Sequence, residues 1–327
     1  MAIYAVTGAA GFIGSKVCEL LLRAGNVVIG VDNLNDAYDV RLKQWRLARI
    51  ENEPGFEFHQ LDITDLSKLR QLWESQLPGP VAAIINLAAR AGVRQSMENP
   101  YVYFETNVTG TLNLLELCRE FEVSKFVIAS SSSLYGQSKN IPYREDGVTD
   151  QPLSPYAASK KAAEALCYSY HHLYGIDITA LRYFTVYGPA SRPDMSPFRF
   201  VQWISEGKPT IVYGDGRQSR DFTYVDDIAK GTIAAIKPLG FEIINLGSDR
   251  PVILMEAIRT IEDLVGKKAN IEHRPNHPAD VPATWADIDK AQRLLGWRPS
   301  YTFQEGMAKL VNWYQENRTW AKEIHTV

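Results

Sequence analysis

Cysteine is scarce. Only Cys18, Cys118 and Cys167 occur among 327 residues, widely spaced and each inside a helix-like run. That pattern gives no disulfide framework and no metal-ligand cluster, and it fits reduced thiols in a cytosol. Long hydrophobic runs are missing too: no apolar stretch reaches the roughly 18 residues of a membrane span. The N-terminus goes straight into Ile3-Tyr4-Ala5-Val6-Thr7 with no charged segment ahead of an apolar one, so the expected address is cytoplasmic, with no membrane partner. Neither sign of charge is in excess. Lysine and arginine number 35 against 38 acidic residues, a net charge of -3, which leaves no basic field for nucleic acid. Internal repeats and low-complexity segments are absent as well.

What remains is an ordinary globular composition, 45% hydrophobic and 22% charged, in a chain long enough for two lobes. The first half alternates short apolar runs with longer helical patterns. Strands are expected at Ala2–Thr7, Val27–Asp32, Phe56–Leu61, Val81–Leu87, Lys125–Ser131 and Asp177–Phe184, and helices at about 12–24, 39–51, 65–76, 99–121 and 155–174. Strands that are apolar throughout are covered on both faces. The fold class is therefore α/β: a Rossmann-type doubly wound parallel sheet, with a smaller C-terminal α/β lobe interleaved with it. From about residue 185 Pro, Gly and Arg become frequent and the elements shorten. Phe241–Gly247 is again strand-like and is expected to return to the large sheet. The expected division is one lobe over 1–184, with about 221–248 packing back on it, and a second over 185–327.

Three motifs carry chemistry. Gly8-Ala9-Ala10-Gly11-Phe12-Ile13-Gly14 stands between the first strand and the first helix, where glycines let backbone approach a pyrophosphate at a helix N-terminus. Its spacing is G-x-x-G-x-x-G, not the usual G-x-G-x-x-G. Asp32, eighteen residues past Gly14, ends the second strand; it can accept from a ribose 2′-hydroxyl and would repel a 2′-phosphate, so NAD is preferred to NADP. Read alone, it is also a solvated strand end. Asp62-Ile63 closes the third strand and can meet an adenine edge. The second motif is Ser154-Pro155-Tyr156-Ala157-Ala158-Ser159-Lys160. With Ser154 as N-cap and Pro155 as first helical residue, Tyr156 and Lys160 share a face. To act as a base near neutrality the phenol needs its pKa lowered by roughly three units, about 4 kcal/mol, which the ammonium, the helix dipole and a cationic cofactor could supply jointly. Without such a context the pair is an exposed i,i+4 contact. The third motif is the serine run at Ser130–Ser133, at the carboxyl end of the fifth strand, where open α/β sheets place ligands.

Taken together and in this order, these motifs resemble those of the extended short-chain dehydrogenase/reductase superfamily over essentially the whole chain. The resemblance implies that Gly8, Gly11, Phe12, Ile13 and Gly14 meet the pyrophosphate of NAD, with Asp32 and Asn33 at the adenosine ribose and Asp62 and Ile63 at the adenine. It also implies cofactor contacts for Leu87, Ala88 and Ala89 of Asn86-Leu87-Ala88-Ala89, for Asn107 in the helix behind them, and for Tyr183. Tyr156 would be the base, Lys160 would bind the nicotinamide ribose, and Ser131, with Ser132 beside it, would hold the reacting hydroxyl. Arg182-Tyr183-Phe184-Thr185-Val186-Tyr187-Gly188-Pro189, Arg192-Pro193-Asp194-Met195 and the stretch from Asp32 to Val40 are similar to one subgroup, the UDP-glucuronate 4-epimerases.

The subgroup implies a UDP-sugar uronate as partner and substrate contacts from Arg94, Ser131, Thr185, Arg192, Tyr213, Arg220 and Asp280. Arg220 would hold the diphosphate, Asp280 a uridine ribose, and Arg192 the sugar carboxylate. On the residues alone, Arg220 also reads as an ion-pair partner of Asp221 or Asp226, and Arg192 as a brace of the Pro189–Pro193 turn. This chain departs from the subgroup at Ala190-Ser191, where an aromatic-glycine pair is usual, and at Ala279, where glycine is usual. The implied reaction is C4 epimerisation of UDP-glucuronate to UDP-galacturonate. UDP-glucose 4-epimerase, UDP-glucuronate decarboxylase and a catalytically silent NAD-binding sensor remain as rivals. Helices 99–121 and 155–174, through Leu112, Leu115, Leu166 and Tyr170, would pair in a homodimer or else face the core.

Overall fold

A computed structural model describes residues 1–75, 77–275 and 281–326. Its centre is a seven-stranded sheet in the order β10-β6-β5-β4-β1-β2-β3. The strands are β1 (Ile3–Thr7), β2 (Val27–Asp32), β3 (Phe56–Gln60), β4 (Val81–Asn86), β5 (Lys125–Ser131), β6 (Asp177–Tyr183) and β10 (Phe241–Leu246). Every neighbouring pair is parallel. β2, β4, β5 and β6 are almost wholly buried because helices cover both faces, while the edge strand β3 has no fully buried residue. On these faces lie α1 (Phe12–Arg23), α2 (Val40–Leu47), α3 (Leu66–Ser75) and α7 (Pro155–Tyr174). Strand order reverses between β1 and β4, which opens a crevice at their carboxyl ends.

The sequence signals for α7 act as expected. Ser154 caps it by accepting from the Ala157 N–H at 3.2 Å, Pro155 occupies its first turn, and Gly175 ends it at φ 69°. The helix expected over 99–121 is interrupted instead. A short α4 (Val93–Glu98) precedes it, then come α5 (Tyr101–Phe104), a π-turn at Glu105–Thr109 and α6 (Gly110–Glu120). Asn107 sits in the π-turn, and its amide leaves the helix to bond the Arg90 backbone and Ser159. Leu115 of α6 is wholly buried in the core between this helix layer and the sheet; Leu166 and Tyr170 of α7 pack against it half-buried.

The remaining chain builds two small sheets. One contains β7 (Thr185–Tyr187), β9 (Ser219–Tyr224) and β11 (Pro251–Ile253) in the order β11-β9-β7; the other pairs β8 (Pro209–Tyr213) with β12 (Asn270–Arg274). Around them lie α8 (Ser196–Glu206), α9 (Val225–Ala234), α10 (Leu254–Val265), α11 (Asp289–Leu295), α12 (Phe303–Glu316) and α13 (Arg318–Ala321). The segment 221–248 divides: its first residues end β9 in a small sheet, α9 lies against α1, and β10 extends the large sheet alongside β6.

Candidate active site

A cavity of about 570 Å³ runs along the carboxyl ends of the large sheet. At one end the turn after β1 is kept bare by glycine. Gly8 has φ 69°, and a Cβ on it would stand 2.8 Å from the Ala88 nitrogen; a Cβ on Gly14 would stand 2.0 Å from the Gly8 carbonyl oxygen. Phe12, Ile13, Asn33, Asp62, Ile63, Leu87, Ala88 and Ala89 line the same end. Asp32 is 6% exposed, so it is no solvated strand end. Its carboxylate accepts from the Ala10 N–H at 3.2 Å and the Leu34 N–H at 2.8 Å, and pairs with Lys43 at 3.5 Å. This donor and acceptor set, with an exposed glycine backbone and a carboxylate beside it, fits a dinucleotide cofactor.

The other end of the cavity gathers Ser131, Ser132, Tyr156, Lys160, Tyr183, Thr185 and Arg192. Ser131 ends β5 opposite Tyr183 of β6. Its hydroxyl donates to Ser133 Oγ at 3.1 Å and accepts from the Ser133 N–H at 3.1 Å. Tyr156 stands edge-on to Tyr103, with ring centroids 6.1 Å apart. Lys160 donates to the Ala129 carbonyl at 2.8 Å. Tyr183 is on the cavity wall, but its hydroxyl is engaged with Thr232 at 2.8 Å.

Burial sets the protonation of the pair. Burial raises the Tyr156 phenol above its ordinary value, while the neighbouring Ser131 hydroxyl and the Arg192 charge pull it only partly back. Burial also pushes Lys160 down, to about 8, against the opposing pull of Cys167 and Glu164. In the protein alone burial thus keeps the phenol neutral, and the Lys160 ammonium is bonded to a strand carbonyl.

Arg192 is not an open clamp. Its Nε donates to Asp194 Oδ1 at 3.0 Å and its Nη2 to Asp194 Oδ2 at 2.5 Å, with a further bond from Nη2 to the Ala91 carbonyl at 2.9 Å. The edge expected to take a sugar carboxylate already holds one from its own chain, and the same arginine ties its loop to the segment after β4.

Five candidates lie off the cavity or outside the described residues. Asn107 is 2% exposed and stands behind the cavity wall. Its amide is spent on the Arg90 N–H and carbonyl, at 2.8 and 2.9 Å, and on Ser159 at 2.9 Å, one turn from Tyr156. Arg94 and Tyr213 meet each other across the lobes, with the guanidinium 4.1 Å from the ring centroid. Arg220 donates to the Ser219 carbonyl at 2.8 Å. Asp221 is buried and accepts from the N–H groups of Ser248, Asp249 and Ala286, while Asp226 pairs with Lys16. Asp280 lies outside the described residues.

Several cavity residues escaped sequence reasoning: Lys43, Tyr38, Tyr103 and Asp194. Asp194 follows Arg192 by two positions, a spacing that could have signalled the pair. Lys43 gave no such signal, because its partner lies on another element. Behind the serine run, Glu164 accepts from Ser130 Oγ at 2.6 Å and from Arg182 Nε and Nη2, both at 2.9 Å; glutamate and arginine are 3% and 1% exposed.

Comparison with known proteins agrees with this architecture. A family model described as GDP-mannose 4,6 dehydratase matches residues 5–310. A UDP-glucuronate 4-epimerase of Thermodesulfobacterium geofontis is 57% identical over 326 residues, 99% of each chain. The crystal structure of UDP-glucuronic acid 4-epimerase from Bacillus cereus, in complex with UDP-glucuronic acid and NAD, aligns with a TM-score of 0.89 at 37% identity, covering 96% of this chain and 99% of that one. UDP-glucose 4-epimerase from Thermotoga maritima, with UDP-glucose bound, aligns with a TM-score of 0.88 at 29% identity, covering 97% of this chain and 99% of that one.

Proposed function

The chain belongs to the GDP-mannose 4,6 dehydratase family of extended short-chain dehydrogenases/reductases, and from that premise we propose that it interconverts UDP-glucuronate and UDP-galacturonate by inverting C4, with NAD as cofactor. The observation that carries this reading is one cavity with the bare glycine turn at one end and Ser131, Tyr156, Lys160 and Arg192 at the other. Gly8, Gly11 and Gly14 hold the pyrophosphate, Asp32 the adenosine ribose and Lys160 the nicotinamide ribose. When bound, NAD supplies reversible hydride acceptance at C4, through a 4-keto sugar and with no net consumption. Ser131 holds the C4 hydroxyl and Tyr156 takes its proton and later returns it. Arg192 pairs with the C5 carboxylate, exchanging Asp194 for it, and Arg220 and Asp280 serve the diphosphate and the uridine ribose.

Burial favours the neutral phenol at Tyr156, and a cationic cofactor held by the glycine turn and Lys160 would supply the positive charge that brings it into range as a base. The three buried, free cysteines support a cytoplasmic address, and no helix among the described residues is long and apolar enough to cross a membrane. Exposed aromatic and aliphatic side chains at Tyr101, Phe104, Tyr168, Leu173 and Tyr174 support a homodimer built on α5 to α7.

Incubation of the purified protein with UDP-glucuronate and separation of the products test the assignment. UDP-galacturonate formed without accumulating NADH is the expected result. Release of a decarboxylated pentose, or NADH rising in step with product, would overturn it. A second reading, epimerisation of UDP-glucose, draws on the Asp194 carboxylate already seated on Arg192, which leaves less positive charge for an anionic sugar. It predicts turnover of UDP-glucose at least equal to that of UDP-glucuronate.

A further inference from the structure

Arg46 is a buried cation that the reaction does not use. It projects from α2, is 3% exposed, and all of its hydrogen bonds end on neutral oxygens. Its Nε and Nη2 both donate to the Ala190 carbonyl, at 3.0 and 2.7 Å. Its Nη1 donates to the Ala10 carbonyl at 3.2 Å and to the Tyr38 hydroxyl at 2.8 Å. The guanidinium also lies over the Phe12 and Tyr38 rings, 5.8 and 5.4 Å from their centroids. Burying a guanidinium against neutral groups alone is expensive, and a neutral side chain could fill the same space.

The two carbonyls it joins belong to the two ligand loops. Ala10 is inside the Gly8–Gly14 turn, and its N–H is bound to Asp32 at 3.2 Å. Ala190 stands two residues before Arg192 and is held at φ 52°, a left-handed conformation that strains a residue with a Cβ. Two donors on one carbonyl hold that conformation in place. Because the guanidinium is planar and engaged on both edges, a shift at Ala10 or Tyr38 is passed to Ala190 as a rotation of one rigid plate.

We propose that Arg46 is a positioning residue that couples the cofactor turn to the sugar loop: occupation of the Gly8–Gly14 turn fixes Ala10 and Tyr38, and through Arg46 it fixes Ala190 and the segment carrying Arg192. The inference rests on the assignment of NAD to that turn. By linkage, occupation of the sugar loop strengthens cofactor binding by the same factor. A brace without coupling would hold the sugar loop equally with or without NAD, which separates the two roles.

Amide hydrogen exchange in the full chain, with and without NAD, tests the coupling by comparing residues 8–14 with residues 190–195. Arg46→Gln removes the buried charge and reaches one carbonyl rather than two, so it is expected to fold; Arg46→Lys keeps the charge and loses the fork. In the wild type, NAD should slow exchange in both segments, by roughly tenfold at 190–195. In both variants NAD should still slow 8–14, while the response at 190–195 falls below about twofold. A full NAD response at 190–195 in Arg46→Gln would overturn the coupling. So would a loop loosened by the same factor with and without NAD, which is the signature of a passive brace. Absence of any NAD response at 8–14 in the wild type would overturn the cofactor assignment and the coupling with it.

Discussion

Replacing Tyr156 with phenylalanine deletes one oxygen and keeps the ring that packs against Tyr103. The variant should therefore fold normally, while its single-turnover rate drops roughly 10²–10⁴-fold, the span of a lost general base. A rate within a few-fold of wild type would make the Tyr156–Lys160 pair structural. Lys160 sets a pH limit. Its ammonium, ordinarily lost near 10.5, is lost near 8 because of burial, so the charged form proposed to hold the nicotinamide ribose is present below about 8 and disappears above it. The rate should fall on an alkaline limb near that value, read from kcat/KM against pH, which reports the free enzyme. Stability carries the opposite sign: a folded-state pKa below the unfolded one means that stability rises as pH climbs from about 8 toward 10.5. Arg192 and Asp194 separate charged from neutral sugars. Arg192→Ala should lose on the order of 10²-fold in kcat/KM for UDP-glucuronate, the cost of an unpaired carboxylate, with little effect on any UDP-glucose activity. More of its turnovers should leak to a 4-keto pentose, because the proposed bidentate grip of Arg192 would no longer hold the carboxylate off the perpendicular to the ketone plane, the geometry in which a β-keto acid loses carbon dioxide. Asp194→Asn should act in the reverse direction, lowering KM for UDP-glucuronate because the sugar no longer displaces a charged rival. Equal changes for both sugars would assign the pair to scaffolding.

At the level of elements, the turn between β1 and α1 is the least forgiving. A methyl group at Gly14 would meet the Gly8 carbonyl oxygen at 2.0 Å, a backbone atom that cannot rotate away. Gly14→Ala should cost about 1–3 kcal/mol of stability, the usual price of overpacking, and abolish measurable NAD binding; calorimetric titration reads the second effect and thermal melting the first. That turn was legible in the sequence because three glycines, a strand and a helix announce it within one short window. So were the seven strands of the large sheet, whose expected and observed limits agree within a residue, whereas the five short strands of the small sheets gave no such signal. The break in helix 99–121 was not legible. Nothing local to Asn107 asks for a π-turn; what imposes it is a set of partners at Arg90 and Ser159, one before the helix and one on α7. Lys43 and Arg46 were hidden for a similar reason. On α2 they read as a charged surface, and only the approach of Asp32 and Ala190 from other elements makes them buried. The site was thus readable where chemistry is held by neighbours in sequence and unreadable where it is held across the fold.

For the molecule as a whole, the Glu164–Arg182 pair ties α7 to β5 and β6 beneath the serine run. Removing one member strands a buried charge, so Glu164→Ala should lower the free energy of unfolding by about 3–5 kcal/mol, measured by denaturant titration. A loss below about 1 kcal/mol would show that water reaches the arginine after truncation. The return of the chain to the large sheet has a different kind of consequence. β10 pairs with β6 from Phe241↔Ile178 to Leu246↔Tyr183, yet 58 positions separate the end of β6, Tyr183, from Phe241. At roughly 5–20 residues per second, a ribosome takes on the order of 3–12 s to make the intervening length. Throughout that interval β6, a strand almost wholly buried in the finished fold, leaves the tunnel with one row of backbone donors and acceptors uncovered, the kind of edge onto which a neighbouring nascent chain can add. Output of native protein in a cell is then governed by how well chaperones shield that edge during synthesis, and a message that stalls between codons 184 and 240 releases a sticky fragment rather than a working half.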